Sequence, residues 1–192
     1  MSRPRSFDHD AALEQALMTF WRHGYEATSI SMLTKAMGIN PPSLYGAFGD
    51  KHRVFTEAVG RYAETYGSFG TRALAEEPTA RASIERLLRE AAREYTDPAR
   101  PPGCMIISAA TNCSSTEVKR DLRDRREASK RAFRDRIAAD RRAGALPTTA
   151  DPAAMAAFYA ATLQGMSVQA SDGASREELD RIVDLAMAAW PT

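Results

Sequence analysis

The side chains best suited to chemistry lie together between Thr28 and Lys51, in the run TSISMLTKAMGINPPSLYGAFGDK. They are hydroxyls, one phenol, one ammonium and several small residues, which is not the nucleophile and base set of a catalyst. Thr28, Ser29, Ser31, Ser43 and Tyr45 can each donate or accept a hydrogen bond, and Lys51 can meet an anion. Serine serves a base edge as donor or acceptor, whereas the rings of Pro41 and Pro42 offer only apolar contact, as to a thymine methyl. This is the chemistry of reading a nucleic acid.

The spacing says how these groups are held. Ile30, Leu33 and Met37 fall at i, i+3 and i+7, which predicts a short helix from about Ser29 to Met37. Gly38 leaves it through a left-handed conformation. Asn40 caps a second helix whose first residue, Pro41, has no N–H to leave unpaired. Leu44 and Phe48, four apart, bury that helix and leave Pro41, Pro42, Ser43, Tyr45, Gly46 and Ala47 as a slim outer face. Two short helices with such a face form a helix-turn-helix that fits a DNA major groove. A preceding helix, about Asp8 to His23 with Leu13, Ala16, Leu17, Phe20 and Trp21 inward, braces the pair and ends at Gly24.

Bulk properties neither add to this reading nor oppose it. The chain has 192 residues, 44% hydrophobic and 27% charged, with a net charge of +1. A near-neutral chain does not announce a nucleic-acid partner, so affinity must come from Arg3, Arg5, Lys35, Lys51 and Arg53 and from helix N-termini. No run of about 18 apolar residues spans a membrane and the N-terminus lacks a secretory core, so a cytoplasmic protein is expected. Cys104 and Cys113 are the two cysteines. They have no metal-ligand spacing, and neither a metal nor a cofactor is expected.

Beyond the motif every segment reads as helix, giving an all-α fold of about nine helices. Residues 1–55 form the expected DNA-binding domain and 56–192 a ligand-binding and dimerisation domain. Asp50 caps a helix from Lys51 that could reach Ala75, with a bend or close contact at Gly67 and Gly70. Helices follow over 79–96 and, after the rigid DPARPPG loop, within the apolar segment CMIISAATNC. Ser114 and Glu117 form a capping box before a long charged helix to Arg142. Asp151 and Pro152 open an alanine-rich helix to Ala170, and Ser175 with Glu178 opens the last one. The arginines of the long helix alternate with acids, which predicts a solvated, ion-paired face.

The order Phe20, Gly24, Tyr25, Thr28, Ser29, Ile30, Gly38, Ile39, Leu44, Tyr45, Phe48, Lys51 and Phe55 resembles the TetR family of bacterial transcriptional regulators. The likeness runs over about residues 7–58. It implies a homodimer on a double-stranded inverted-repeat operator, usually a repressor, released by a small-molecule effector. It puts DNA contacts at Ser31, Pro41, Pro42, Ser43, Tyr45, Gly46, Ala47 and Lys51. Gly46 and Ala47 depart from the larger or polar residues common at those positions: either reading there is weak or the helix sits deeper in the groove.

Several residues keep two readings open. Thr28 and Ser29 either meet phosphates or cap their helix, and Lys51 is read with the N-terminal N–H groups of its helix as an anion site. Arg3 and Arg5 form a minor-groove arm or a free tail. A mostly apolar effector is expected among Tyr62, Tyr66, Phe69, Tyr95, Met105, Ser108, Asn112, Phe133, Phe158 and Tyr159, each of which could instead be packing. Asn112 needs a polar partner, which a backbone carbonyl could supply. Met155, Thr162 and Met166 with Leu179, Ile182, Val183, Ala186 and Trp190 form a four-helix dimer interface or the protomer core. Cys104, after PPG at a helix start, offers a redox or electrophile sensor as the rival mode of regulation, or is a small buried hydrophobe. A more distant rival is an enzyme with an accessory DNA reader, but His9, His23 and His52 stand far from either cysteine in sequence.

Overall fold

The computed structural model describes residues 7–109 and 113–191, and every regular element among them is helical. Arg3, Arg5 and Asn112 lie outside the described residues. There are ten helical segments, nine of at least eight residues. They are α1 (His9–Ala27), α2 (Ile30–Met37), α3 (Pro41–Phe48), α4 (Lys51–Glu64), α5 (Phe69–Glu76), α6 (Ala80–Tyr95), α7 (Met105–Ser108), α8 (Thr116–Arg142), α9 (Pro152–Ser171) and α10 (Arg176–Ala188).

The extra segment arises because the helix expected from Lys51 to Ala75 divides into α4 and α5. The Gly67 N–H donates to the Tyr62 carbonyl at 2.8 Å, and a Cβ on Gly67 would lie 3.0 Å from the Tyr62 ring. The turn therefore folds back on Tyr62, where only glycine fits without displacing the ring. α1 is interrupted at Gly24, with φ of 73° and ψ of 172°, where the sequence placed its end.

α1 packs across α2 and α4, and α4 carries the packing from the helix-turn-helix into the rest of the protein. Phe20 meets Phe55 edge-on at 5.0 Å, and Trp21 meets Tyr62 edge-on at 4.9 Å. α6 is surrounded by α5, α8, α9 and α10, and its Ile84, Leu87, Leu88 and Ala91 are all buried. Arg89 of α6 pairs with Asp180 and Asp184 of α10 at 3.2 and 2.5 Å.

One expected cap is corrected. Ser115, not Ser114, caps α8, accepting from the Val118 N–H at 3.3 Å. Ser114 is instead bound by Glu26 at the end of α1, its N–H and hydroxyl donating to that carboxylate at 2.9 and 2.7 Å. The box at Ser175 and Glu178 is present with both reciprocal bonds.

Candidate functional site

α2 and α3 are joined through Gly38, which has φ of 66° and ψ of 28° and whose N–H closes back on the last carbonyls of α2. Ser29 caps α2 by accepting from the Met32 N–H at 3.1 Å, and Asn40 caps α3 by accepting from Ser43 at 2.8 Å. Leu33, Met37, Leu44 and Phe48 hold both helices to the core. Ser31, Pro41, Pro42, Tyr45 and Gly46 are left exposed. Tyr45 is 50% exposed, one of the few large aromatic surfaces in the described chain that faces solvent.

Three motif residues sit otherwise than expected. Thr28 is 1% exposed and its hydroxyl donates to the Gly24 carbonyl at 2.7 Å, so its side chain ties the turn after α1 and does not face a phosphate. Ala47 is half-buried, resting partly against the core. Lys51 does open α4, but its ammonium lies 4.3 Å over the Tyr25 ring and donates to the Glu26 carbonyl at 3.4 Å. Desolvation there lowers the Lys51 pKa. The N-terminus of α4 is capped by the Asp50 carboxylate, which accepts from the Arg53 N–H at 2.8 Å, so an anion there would meet a like charge.

A cavity of about 340 Å3 opens between α4, α5, α6, α8 and α9. Tyr62, Phe69, Tyr95 and Phe133 line it, as the sequence suggested. Burial raises the Tyr62 and Tyr95 phenols well above their ordinary value, and both lie against the Cys104 thiol. Cys104 is in the cavity wall, its N–H held by the Ser167 hydroxyl at 2.8 Å. The helix it precedes, α7, has only four residues and supplies little dipole, which removes the sequence argument for an activated thiol.

The other expected lining residues lie elsewhere. Tyr66 donates to Glu14 at 2.6 Å outside the cavity, and burial with that bond raises its pKa to about 12. Met105 is fully buried core, and Ser108 donates to the Cys104 carbonyl at 3.0 Å away from the cavity. Phe158 faces solvent, 46% exposed. Tyr159 donates to the Ala186 carbonyl at 3.1 Å, joining α9 to α10, and burial raises its pKa to about 12.

Arg126 and Gln164 are lining residues that the sequence did not single out. Arg126 had a signal: it stands four residues after buried Leu122 and seven before buried Phe133, on the inward stripe of α8. Its charge hid it among the solvated arginines.

The dimer residues also divide. Met166, Leu179, Val183, Ala186 and Trp190 are buried within one chain and are protomer core, in helices that pack on α6 and, for Trp190, against the Tyr159 ring. Met155, Thr162 and Ile182 are half-buried. The outward face of α9 is formed by Ala154, Ala157, Phe158, Ala161, Gly165 and Val168.

A buried three-helix brace that thrusts a slim, hydroxyl- and proline-bearing helix into solvent defines a helix-turn-helix DNA-binding transcriptional regulator. The family model for bacterial regulatory proteins of the tetR family matches residues 12–58. The chain is 32% identical over 192 residues to the HTH-type transcriptional repressor ComR of Escherichia coli (strain K12), covering 98% of this chain and 91% of that one. It is 34% identical over 105 residues to the repressor BdcR of the same organism, covering 55% and 53% of the two chains. Among solved structures it is similar to a cysteine mutant of the TetR family regulator CifR in complex with 26-bp double-strand operator DNA, with TM-score 0.93, 41% identity and coverage of 98% and 100%. The chain therefore belongs to the TetR family of bacterial transcriptional regulators.

Proposed function

We propose that this chain is a homodimeric repressor, with α3 of each protomer in the major groove of an inverted-repeat operator and a small molecule in the cavity causing release. The observation that carries the DNA reading is the exposed face of α3, where Pro41, Pro42, Tyr45 and Gly46 stand clear of buried Leu44 and Phe48. Tyr45 contacts a phosphate, Ser31 and Ser43 meet base edges, and the prolines meet thymine methyls. Ser29 and Lys35 add backbone contacts, with Arg3 and Arg5 as a minor-groove arm. Residues 1–55 act as the reader and 56–192 as the sensor, with α4 common to both.

Dimerisation follows from α9. A helix apolar on all sides is stable in water only when covered on all sides. One face of α9 is covered by α6, α8 and α10, and the other exposes Phe158 and Val168, with Leu185 of α10 also exposed. A second copy of the same face covers it and gives the two-fold symmetry that an inverted repeat needs. The protein works in the cytoplasm as a regulator, not an enzyme. No helix among the described residues is long and apolar enough to cross a membrane.

Fluorescence anisotropy on the duplex upstream of the protein's own gene tests the reading. Binding is expected to exceed that to a scrambled duplex, to weaken steeply with salt, and to fall in Tyr45→Ala. Equal affinity for both duplexes would contradict it.

One observation favours a second mode of signalling. Cys104 faces the cavity with the two phenols of Tyr62 and Tyr95 against its sulfur. A peroxide entering there would convert the thiol to a sulfenic acid with release of water. Intact-protein mass after mild peroxide, with operator binding of Cys104→Ser, decides this: oxygen uptake and release in the wild type alone would support it, and release in both would exclude it.

A further inference from the structure

The cavity contains one charged side chain, and its environment limits what can bind. Arg126 occupies a position on the inward stripe of α8 where the neighbours four before and seven after, Leu122 and Phe133, are buried. Its Nη1 donates to the Ile106 carbonyl at 3.0 Å. Arg120, Arg123, Arg134 and Arg136 of the same helix each have a carboxylate within ion-pair distance, whereas Arg126, like Arg125 and Arg131, has none among the described residues, and of these three only Arg126 lines the cavity. A guanidinium has five N–H donors in a fixed fork, so most of the hydrogen-bonding capacity of this cavity-lining side chain is unused by the protein. Arg126 is half-buried, and desolvation lowers its pKa against the opposing pull of neighbouring Glu127. A half-buried guanidinium with no ion-pair partner among the described residues is free to take an anion.

The rest of the lining defines the body of the ligand. Phe69, Leu74, Leu87, Phe133 and Leu163 form an apolar wall, and no acidic residue lines the cavity. One cation balances one negative charge, whereas a phosphate dianion would need a second cation that the lining does not contain. The planar fork matches a carboxylate through two parallel bonds. A volume of about 340 Å3 corresponds to roughly eleven displaced waters at about 30 Å3 each, the size of a small organic molecule. Exposed Thr71, Ala128 and Ser129 lie along the open side, through which such a molecule enters.

We propose that the effector is a small amphipathic carboxylic acid, its carboxylate held by Arg126 and its apolar body packed between Leu87, Phe133 and Leu163. This rests on the reading of the cavity as the effector site and replaces a mostly apolar ligand with an anionic one. Arg126 gives the site selectivity for head group, and the apolar wall selects length.

Calorimetric titration of the full chain with octanoate and octanamide, and with 3-phenylpropionate and its amide, tests the head group with size held constant. The acids are expected to bind about ten- to a hundredfold more tightly than the amides, and Arg126→Gln should remove that preference while retaining operator binding. Amides binding as well as the acids would overturn the head-group assignment and leave the cavity reading standing. Failure of both classes to bind would overturn the cavity reading as well. Where Arg126→Gln does not fold, Leu163→Trp replaces it: that variant keeps the guanidinium and fills the apolar end, and acid binding should disappear. Undiminished acid binding in either folded variant would also overturn the assignment.

Discussion

Gly46 separates DNA reading from folding at a single residue. It lies inside α3, and beyond its chain neighbours and the helix's own backbone no heavy atom comes within 4 Å of where a Cβ would be. Gly46→Ala is expected to raise stability by about 0.5–1 kcal/mol through helix propensity while lowering operator affinity, because the added methyl faces the groove. Thermal unfolding beside anisotropy checks this, and a fall in stability would show that the outer face is not free. Tyr45→Phe should keep the fold and weaken binding to all duplexes alike, as loss of a phosphate contact does. The outer face was legible in the sequence because Leu44 and Phe48 fix the inward side and the helical period does the rest. Thr28 was not legible, since a hydroxyl followed by serine can cap, contact a ligand or bond back to a carbonyl. Only the break at Gly24 turns its oxygen inward. Arg126 was hidden for a related reason: charge implies solvent until the inward stripe of its helix is known.

At the scale of elements, α8 links the two halves. Its preceding turn is pinned to α1 through Ser114 and Glu26, and His52 of α4 lies 3.9 and 3.5 Å from Glu117 and Asp121. Its middle presents Arg126 to the cavity, and near its end buried Asp140 accepts the Ala80 N–H of α6 at 2.6 Å and pairs with Arg136 at 3.1 Å. An effector that holds Arg126 and draws α8 toward the cavity therefore pulls on the clamp beside Lys51. Ser114→Ala should retain effector binding and reduce the effector's power to release DNA, measured by anisotropy with and without ligand. The Ser114 bonds hold the Glu26 pKa below its ordinary 4.5. Their contribution is therefore complete above pH 4.5 and is lost as pH falls through the lower folded value. The exchange protection factor of the Ser114 amide should stay constant around neutral pH and fall only in acid. Asp140→Ala should cost about 3 kcal/mol in denaturant unfolding, because it leaves Arg136 and the α6 N-terminus without their anion. The α8 helix itself was readable from its pattern. Its true cap was not, because the carboxylate that takes Ser114 lies 88 residues away in sequence.

For the whole molecule, one protomer accounts for only part of its apolar surface. The terminal helices were recognisable, but sequence periodicity could not divide their faces between protomer core and dimer seam, since α9 is apolar all round. Burial makes the division: Leu179 and Val183 lie inside, while Phe158, Val168 and Leu185 lie outside. Val168→Glu should give a folded monomer by sedimentation and a large loss of operator affinity, whereas Leu179→Ala should lower stability by about 2–5 kcal/mol. The most direct measurement is selection of bound duplexes from a random pool by the purified protein. The enriched sequences are expected to be inverted repeats with half-site centres about 34–36 Å, one DNA turn, apart. Enrichment of unpaired single sites, or of no sequence at all, would contradict a two-fold pair of α3 helices reading one face of DNA.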